Sequence, residues 1–340
     1  MINVTIHPIS ERTFWMRAFL AVLRLFRGKL IKPPQDDAPS KREWPKHEWS
    51  SVGSPRLNIP TRMEGELLIT ERSVDDIWCY DVDLKSKSRD NTSTSKQVKR
   101  VFYFAGGAFQ MAAGPPHWSL IAEIVRKTPN CRLTLISWPL GKHANPSTAI
   151  PNTANAYLRL LSESALDDEH VILMGDSAGG NIATSVALYT LRTTPPSEKT
   201  RIAPNQLCLI SPVMDCVNDN PEMEVVDKVD PVVTAETCRE IADKWRADVP
   251  ATDPIVSPVR ADLSVLAEHG IKVNGIIGTW DVLAPDAMKF MRKCDTSGVS
   301  GDWYIAEGQM HCFPLAWGLR FKNSIDGKNW ILRTLREESA

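Results

Sequence analysis

Between residues 171 and 192 the chain passes from an unbroken apolar run, Val171-Ile172-Leu173-Met174, through Gly175-Asp176-Ser177-Ala178-Gly179-Gly180, into a helical pattern reaching about Arg192. No other stretch constrains the fold as much. A serine held between strand and helix on so few residues needs a turn too tight for ordinary side chains. Glycines at 175 and 179 let neighbouring backbone pass close by. G-x-S-x-G in a strand–turn–helix setting is a nucleophile elbow, which lifts the serine hydroxyl above the end of a sheet. Ala178 then offers its N–H at a helix start, where the first amides lack internal partners and the dipole favours negative charge. Ser177 is the expected nucleophile and the Ala178 amide an expected oxyanion donor.

The rest of the chain repeats that alternation. From Val101 it reads strand (101–104), helix (117–127), strand (132–137), helix (152–164), strand (171–174), helix, strand (206–210), a long irregular and helical insertion, strand (272–277), helix (286–294), strand (302–305) and a C-terminal helix. Strands alternating with helices predict an α/β fold, a mostly parallel central sheet covered by helices on both faces. Before it, 65–70 and 74–84 read as two early strands, 33–61 as an irregular connection rich in Pro and Trp, and 85–97 as a solvated loop. The expected organisation is an N-terminal segment to residue 60, a core over 61–212, an insertion over 213–260 and a second core part over 261–340. Residues 105–108, Ala-Gly-Gly-Ala, lack the lysine of a phosphate-binding loop.

With 340 residues the chain can bury a large core, and a net charge of −1 gives no reason to expect nucleic acid as a partner. Its seven cysteines are scattered and never spaced C-x-x-C, which argues against a metal site and for a reducing compartment. Cys312, beside His311, is expected to pack. Phe14 to Phe26 is apolar but carries Arg17 and Arg24, with Arg12 and Arg27 at its edges. It is too short and too charged to span a bilayer, and no small-residue cleavage site follows it. Two readings stand: an amphipathic lid over the site, or a peripheral membrane contact through 11–27. The expected location is cytoplasmic or peripheral on an intracellular membrane; monomer or homodimer stays open.

A serine hydroxyl needs an imidazole to take its proton and a carboxylate to orient the imidazole. With a nucleophile elbow both follow the serine in the chain. Only His269 and His311 do so. His269 precedes a glycine at a helix end, where it meets free carbonyls. His311 lies in a loop after the last expected strand and is the expected base. Asp281, just beyond strand 272–277, is the expected acid, because parallel sheets place their chemistry outside the carboxyl ends of their strands. Asp286 is expected to be a supporting or capping carboxylate nearby, whereas Asp295 and Asp302 fall at the wrong places. The loop Ala105–Phe109 is expected to complete an oxyanion hole, its small residues letting backbone amides approach the substrate.

From about Val98 to Phe313 these residues resemble the hormone-sensitive-lipase-like branch of the α/β-hydrolase fold, including fungal esterases and steryl-acetyl-hydrolase-like proteins. G-D-S-A-G-G-N (175–181) is the most specific likeness. Leu209-Ile210-Ser211-Pro212, Ser257-Pro258, the Asp281-Val282-Leu283 loop and the Gly308 to Phe313 stretch are further echoes. The resemblance implies a Ser177–Asp281–His311 triad and an oxyanion hole shared by Gly107, Ala108 and Ala178. It also implies a helical lid built from the N-terminal segment and residues 213–255. Two departures stand out: the family's H-G-G-G loop is Ala105-Gly106-Gly107-Ala108 here, and its Y-R-L-A-P-E segment is Trp138-Pro139-Leu140-Gly141-Lys142-His143. Phe109, His117 and Trp118 are expected in the substrate pocket, and Met214, Met223 and Trp245 of the insertion are expected to set substrate choice.

The expected chemistry is hydrolysis of a hydrophobic small-molecule ester, one with a short acyl group or an acetylated specialised metabolite, without metal or organic cofactor. Two other classes remain open at this level: a lyase, cyclase or acyltransferase step at the same serine, and a ligand-binding scaffold without turnover.

Overall fold

The computed structural model describes residues 1–8, 14–28, 48–63, 65, 67–85, 97–163 and 169–336. Much of the 33–61 connection, most of the 85–97 loop and residues 11–13 of the N-terminal segment therefore lie outside the described residues. The strands are β1 (Ile2–His7), β2 (Leu67–Val74), β3 (Ile77–Leu84), β4 (Val98–Phe104), β5 (Cys131–Ser137), β6 (Glu169–Asp176), β7 (Gln206–Ile210), β8 (Lys272–Trp280) and β9 (Gly301–Met310). Among the described residues they form one nine-stranded sheet in the order β1-β9-β8-β7-β6-β4-β5-β3-β2. Every neighbouring pair is parallel except those of β3, which runs antiparallel to β2 and β5.

Burial explains which strands the sequence marks clearly. β6 and β7 are covered on both faces, so they read as unbroken apolar runs. One face carries the helices α3 (Pro146–Ser162) and α4 (Ala178–Thr193) with the helix Ala284–Thr296, the other α2 (Pro115–Lys127) and the helix Lys322–Arg336. β2 lies at an edge and alternates irregularly. Its hairpin to β3 turns at Asp75 and Asp76, both at positive φ, so the break falls after Val74 rather than between 70 and 74. β1, absent from the sequence reading, extends the sheet by pairing Ile2–His7 with 301–306. α3 begins at Pro146, ahead of the expected Asn152, because Asn145 caps it by accepting from the Thr148 amide and Pro146 suits the first helical position.

At the elbow, a Cβ on Gly175 or Gly179 would meet backbone of α4 or of Phe104. The two glycines thus let β4, β6 and the start of α4 come together. Residues 211–271 connect β7 to β8, and the insertion expected over 213–260 carries the helices Glu222–Asp227 and Ala235–Arg246. Its base is pinned from the elbow helix: Asn181 Nδ2 donates to the carbonyls of Val213 and Val256, both at 2.9 Å. Asp215, 1% exposed, receives Arg260 Nη2 at 2.8 Å and Ser257 Oγ at 3.1 Å, while Ser257 Oγ also accepts from the Cys216 amide. The Ser257-Pro258 echo is thus a tie within the insertion.

The N-terminal helix α1 (Phe14–Leu25) docks on this insertion. Arg24 donates to the Val229 carbonyl, Arg27 to Asp227 Oδ1 and the Val233 carbonyl, and the Gly28 amide to the Val232 carbonyl. No helix among the described residues is long and apolar enough to cross a membrane.

Gly179→Ala would press a methyl against the Phe104 carbonyl, overpacking expected to cost about 1–3 kcal/mol. Thermal unfolding of the variant should show a Tm several degrees lower; an unchanged Tm would contradict the close packing of strand and helix.

Candidate active site

Ser177 sits at the junction of β6 and α4 with φ 52 and ψ −123. Such a conformation costs on the order of 1–3 kcal/mol and persists only where the surroundings over-determine it. Here they do. The Ser177 amide donates to the Ile210 carbonyl at 2.8 Å, and its carbonyl accepts from Gly180 and Val213, both at 3.1 Å. Ser177 Oγ lies 2.9 Å from His311 Nε2, and His311 Nδ1 lies 2.9 Å from Asp281 Oδ2. Asp281 Oδ1 accepts from the Leu283 amide at 3.0 Å. With Nδ1–H donating to Asp281, Nε2 is left to accept the serine proton.

The Asp281 side chain is inaccessible and that of His311 is 10% exposed. Burial works against an imidazolium at His311, but the charge of Asp281 and its hydrogen bond outweigh it, and the pKa stands well above 6.5. Cys312 Sγ is 3.5 Å from His311 Nε2. Burial pushes this thiol up to about 11 although His311 pulls the other way, so it is neutral near pH 7 and no rival nucleophile.

Three consecutive residues at positive φ bend the loop after β4: Gly107, Ala108 and Phe109 have φ of 142, 53 and 59. A left-handed alanine costs about 1–2 kcal/mol, where the family's glycine would not. The Gly107 carbonyl accepts from the Gln110 and Met111 amides at 2.9 and 2.8 Å, closing the turn. The missing loop histidine is offset from two sides. Trp138 Nε1 donates to the Ala105 carbonyl at 3.0 Å. Asp176, 3% exposed, accepts from the Gly106 amide at 3.0 Å and from Tyr103 Oη at 2.6 Å. His117 Nε2 faces the same carboxylate at 3.3 Å, and its Nδ1 accepts from the Gly114 amide. Burial opposes charge on both Asp176 and His117, yet their mutual attraction lowers the pKa of the first and raises that of the second. The two segments that depart from the family pattern thus brace one another.

A family model described as the alpha/beta hydrolase fold matches residues 101–315, well over half the chain. The chain belongs to the α/β-hydrolase fold family. LipR of Mycobacterium tuberculosis, a protein named as an acetyl-hydrolase, is 27% identical over 215 residues, 63% of this chain and 66% of LipR's own length. Among solved structures, a mutant of the esterase E40 superposes with a TM-score of 0.73 at 16% identity, covering 96% of this chain and 99% of that one. A hormone-sensitive lipase from a metagenome library gives 0.68 at 20%, covering 94% and 98%. At these identities the two structures speak to the fold alone.

In this α/β hydrolase, Ser177 and His311 open into a cavity of about 820 Å³. Gly107, Ala108, Phe109 and His117 line it, as do Phe19 and Leu23 of α1, so the N-terminal helix forms part of its wall. Trp118 and Met214 do not. Trp118 is fully buried and packs edge-on against Tyr80 at 5.8 Å, because successive helical residues point about 100° apart and His117 takes the cavity side. Met214 packs in the core beneath Val213, which lines the cavity instead. Met223 and Trp245 are likewise buried outside it. Trp245 stacks on Phe109 at 4.7 Å and so backs the wall without forming it. From the insertion the cavity takes Val213, Asn218, Val232, Val233, Cys238, Ile241 and Ala242.

Asp286 accepts from Asn220 Nδ2 at 2.9 Å, joining the first turn of its helix to the insertion. Sequence reasoning passed over Asp230. Its carboxylate accepts from the amides of Val232, Val233 and Val282, so it ties the insertion to the residue after Asp281. Burial, and then the nearby Asp281 charge, push its pKa up to about 6. Only the chain's three-dimensional course brings it there, and no local motif marks it.

His311 must be neutral to accept the serine proton, and a raised pKa keeps it charged over a wider range. The pH limb of kcat/KM is therefore expected to rise above 6.5, upward of the unperturbed position; a midpoint at or below 6 would contradict the Asp281 contact. Asp176→Asn replaces an acceptor of three bonds with an amide that cannot accept them all. It should lower kcat about 10–100-fold while leaving KM near its starting value, as loss of a positioning group does; unchanged kcat would deny Asp176 its bracing role.

Proposed function

We propose that this protein is a serine carboxyl-ester hydrolase acting through an acyl-enzyme on Ser177. The observation that carries the reading is the strained elbow serine, hydrogen-bonded through His311 to a buried Asp281 and opening into a largely apolar cavity. LipR's name supports the same class, and the fold shared with the esterase structures is compatible with it.

Ser177 Oγ attacks the ester carbonyl carbon while His311 Nε2 takes its proton, and Asp281 stabilises the imidazolium that forms. Negative charge gathers on the former carbonyl oxygen, facing the Ala178 amide at the start of α4 and the amides of Gly107 and Ala108. Collapse expels the alcohol, which leaves with the proton held by His311. A water molecule then repeats the sequence on the acyl-enzyme, releasing the acid and restoring the serine. The low accessibility of Asp281 and His311 strengthens each of these charge interactions.

For substrate, the reading is an ester with a short acyl group on a bulky hydrophobic alcohol, such as an acetylated metabolite. A cavity of about 820 Å³ falls in the range that encloses a drug-sized molecule, and LipR's name points to acetyl esters. α1 would serve as the lid, since Phe19 and Leu23 form cavity wall.

p-Nitrophenyl esters from acetate to dodecanoate test this with wild type and Ser177→Ala in parallel. Turnover should fall about 10⁴-fold or more in the variant, and the chain-length optimum should lie at short acyl groups. Comparable turnover in the two proteins would overturn the assignment of Ser177.

A further inference from the structure

Of the residues that the insertion turns toward the cavity, Val213, Val232, Val233, Ile241 and Ala242 are apolar and Cys238 carries a thiol, so Asn218 brings the one amide side chain among them. Asn218 is 2% exposed, and its side-chain oxygen is buried with no hydrogen-bond partner among the described residues. Its backbone is accounted for: φ is 52, and its carbonyl accepts from Arg239 Nε at 3.3 Å. A left-handed backbone explains why Asn, Asp or Gly stands here. It does not explain a buried side-chain oxygen left without a donor in this wall, which lowers stability until something donates to it.

The loop that carries Asn218 is keyed to the nucleophile. Val213 donates its amide to the Ser177 carbonyl at 3.1 Å, and Asn181 of α4 holds the Val213 carbonyl at 2.9 Å. Asn218, five positions further on, is therefore held at a set distance from the reacting oxygen. A primary amide presents a donor and an acceptor side by side, and a hydroxyl, which both donates and accepts, satisfies either edge. Asn218 itself carries no charge to meet an ionised group; Arg126, which also lines the cavity, lies on α2 and not on the insertion.

We propose that Asn218 is a recognition point for a substrate hydroxyl, so that the cavity selects hydrophobic esters carrying a hydroxyl at a fixed distance from the ester bond. This rests on the ester-hydrolase reading for the ester, and on the Asn218 geometry for the hydroxyl. Sites built to bond a substrate hydroxyl discriminate strongly against analogues without it, because the site's own polar group is then stranded.

The test reads binding rather than turnover. Ser177→Ala protein is titrated by calorimetry with alkyl acetates from hexyl to dodecyl and with monoacetates of the matching α,ω-diols. Ethyl alkanoates and their ω-hydroxy counterparts probe the acyl side in the same way. At one chain length in one series the hydroxylated ester should bind about tenfold tighter, and adding Asn218→Gly, which keeps the left-handed backbone, should abolish that preference. No hydroxyl preference at any length, or a preference that survives the glycine, would overturn the proposal. The first comparison needs no change at 218, so it decides even if the glycine variant does not fold. Wild-type turnover of the unsubstituted esters tests the hydrolase reading separately.

Discussion

The peptide of Ser177 is the joint on which the site depends. Its conformation is unfavourable for any side-chain-bearing residue, and it is held by hydrogen bonds to the end of β7 and to the first residues of the insertion. The same bonds that keep the serine strained therefore set where the insertion starts, and with it one wall of the cavity. α4 adds a second clamp, through Asn181, on both ends of the insertion's base. Ser177 and one wall of the cavity are thus parts of one backbone construction.

Around that joint three buried carboxylates do different work because their neighbours differ. Asp281 accepts from His311 Nδ1, and it raises that imidazole's pKa against the effect of burial. Asp176 collects donors from the loop after β4, from β4 itself and from α2, and stays ionised in spite of its burial. Asp230 accepts only neutral backbone amides beside the charge of Asp281, and burial makes it more easily protonated than an ordinary carboxylate. Burial acts alike on Asp176 and Asp230; the partners decide the outcome.

What could be read from the sequence followed from local physics. Ser177 was legible because strand, glycine-framed turn and helix occupy consecutive residues. Asp281 and His311 could be singled out because both follow strands at the end of the sheet where that serine emerges; the structure brings their side chains within hydrogen-bond reach of one another. Strands buried on both faces announced themselves as apolar runs. β1 did not, being six residues at an edge with Val4 and Ile6 well exposed. Trp118 was misplaced because composition says that an aromatic lies near a pocket but not which way its helix turns it. Asp230, Asn218 and the Trp138 brace on Ala105 acquire meaning only from partners far along the chain, which no spacing rule reaches.

The pairing of β1 with β9 has a consequence for how the chain comes to be folded. Ile2 lies opposite Gly301, and His7 opposite Ala306. Such a contact joins residues 299 positions apart, and contacts of this kind form late because chain entropy is lost before they return anything. During synthesis β1 has no native neighbour until β9 has been made. Through that interval a segment carrying Ile2, Val4 and Ile6 keeps both its edges open to non-native pairing.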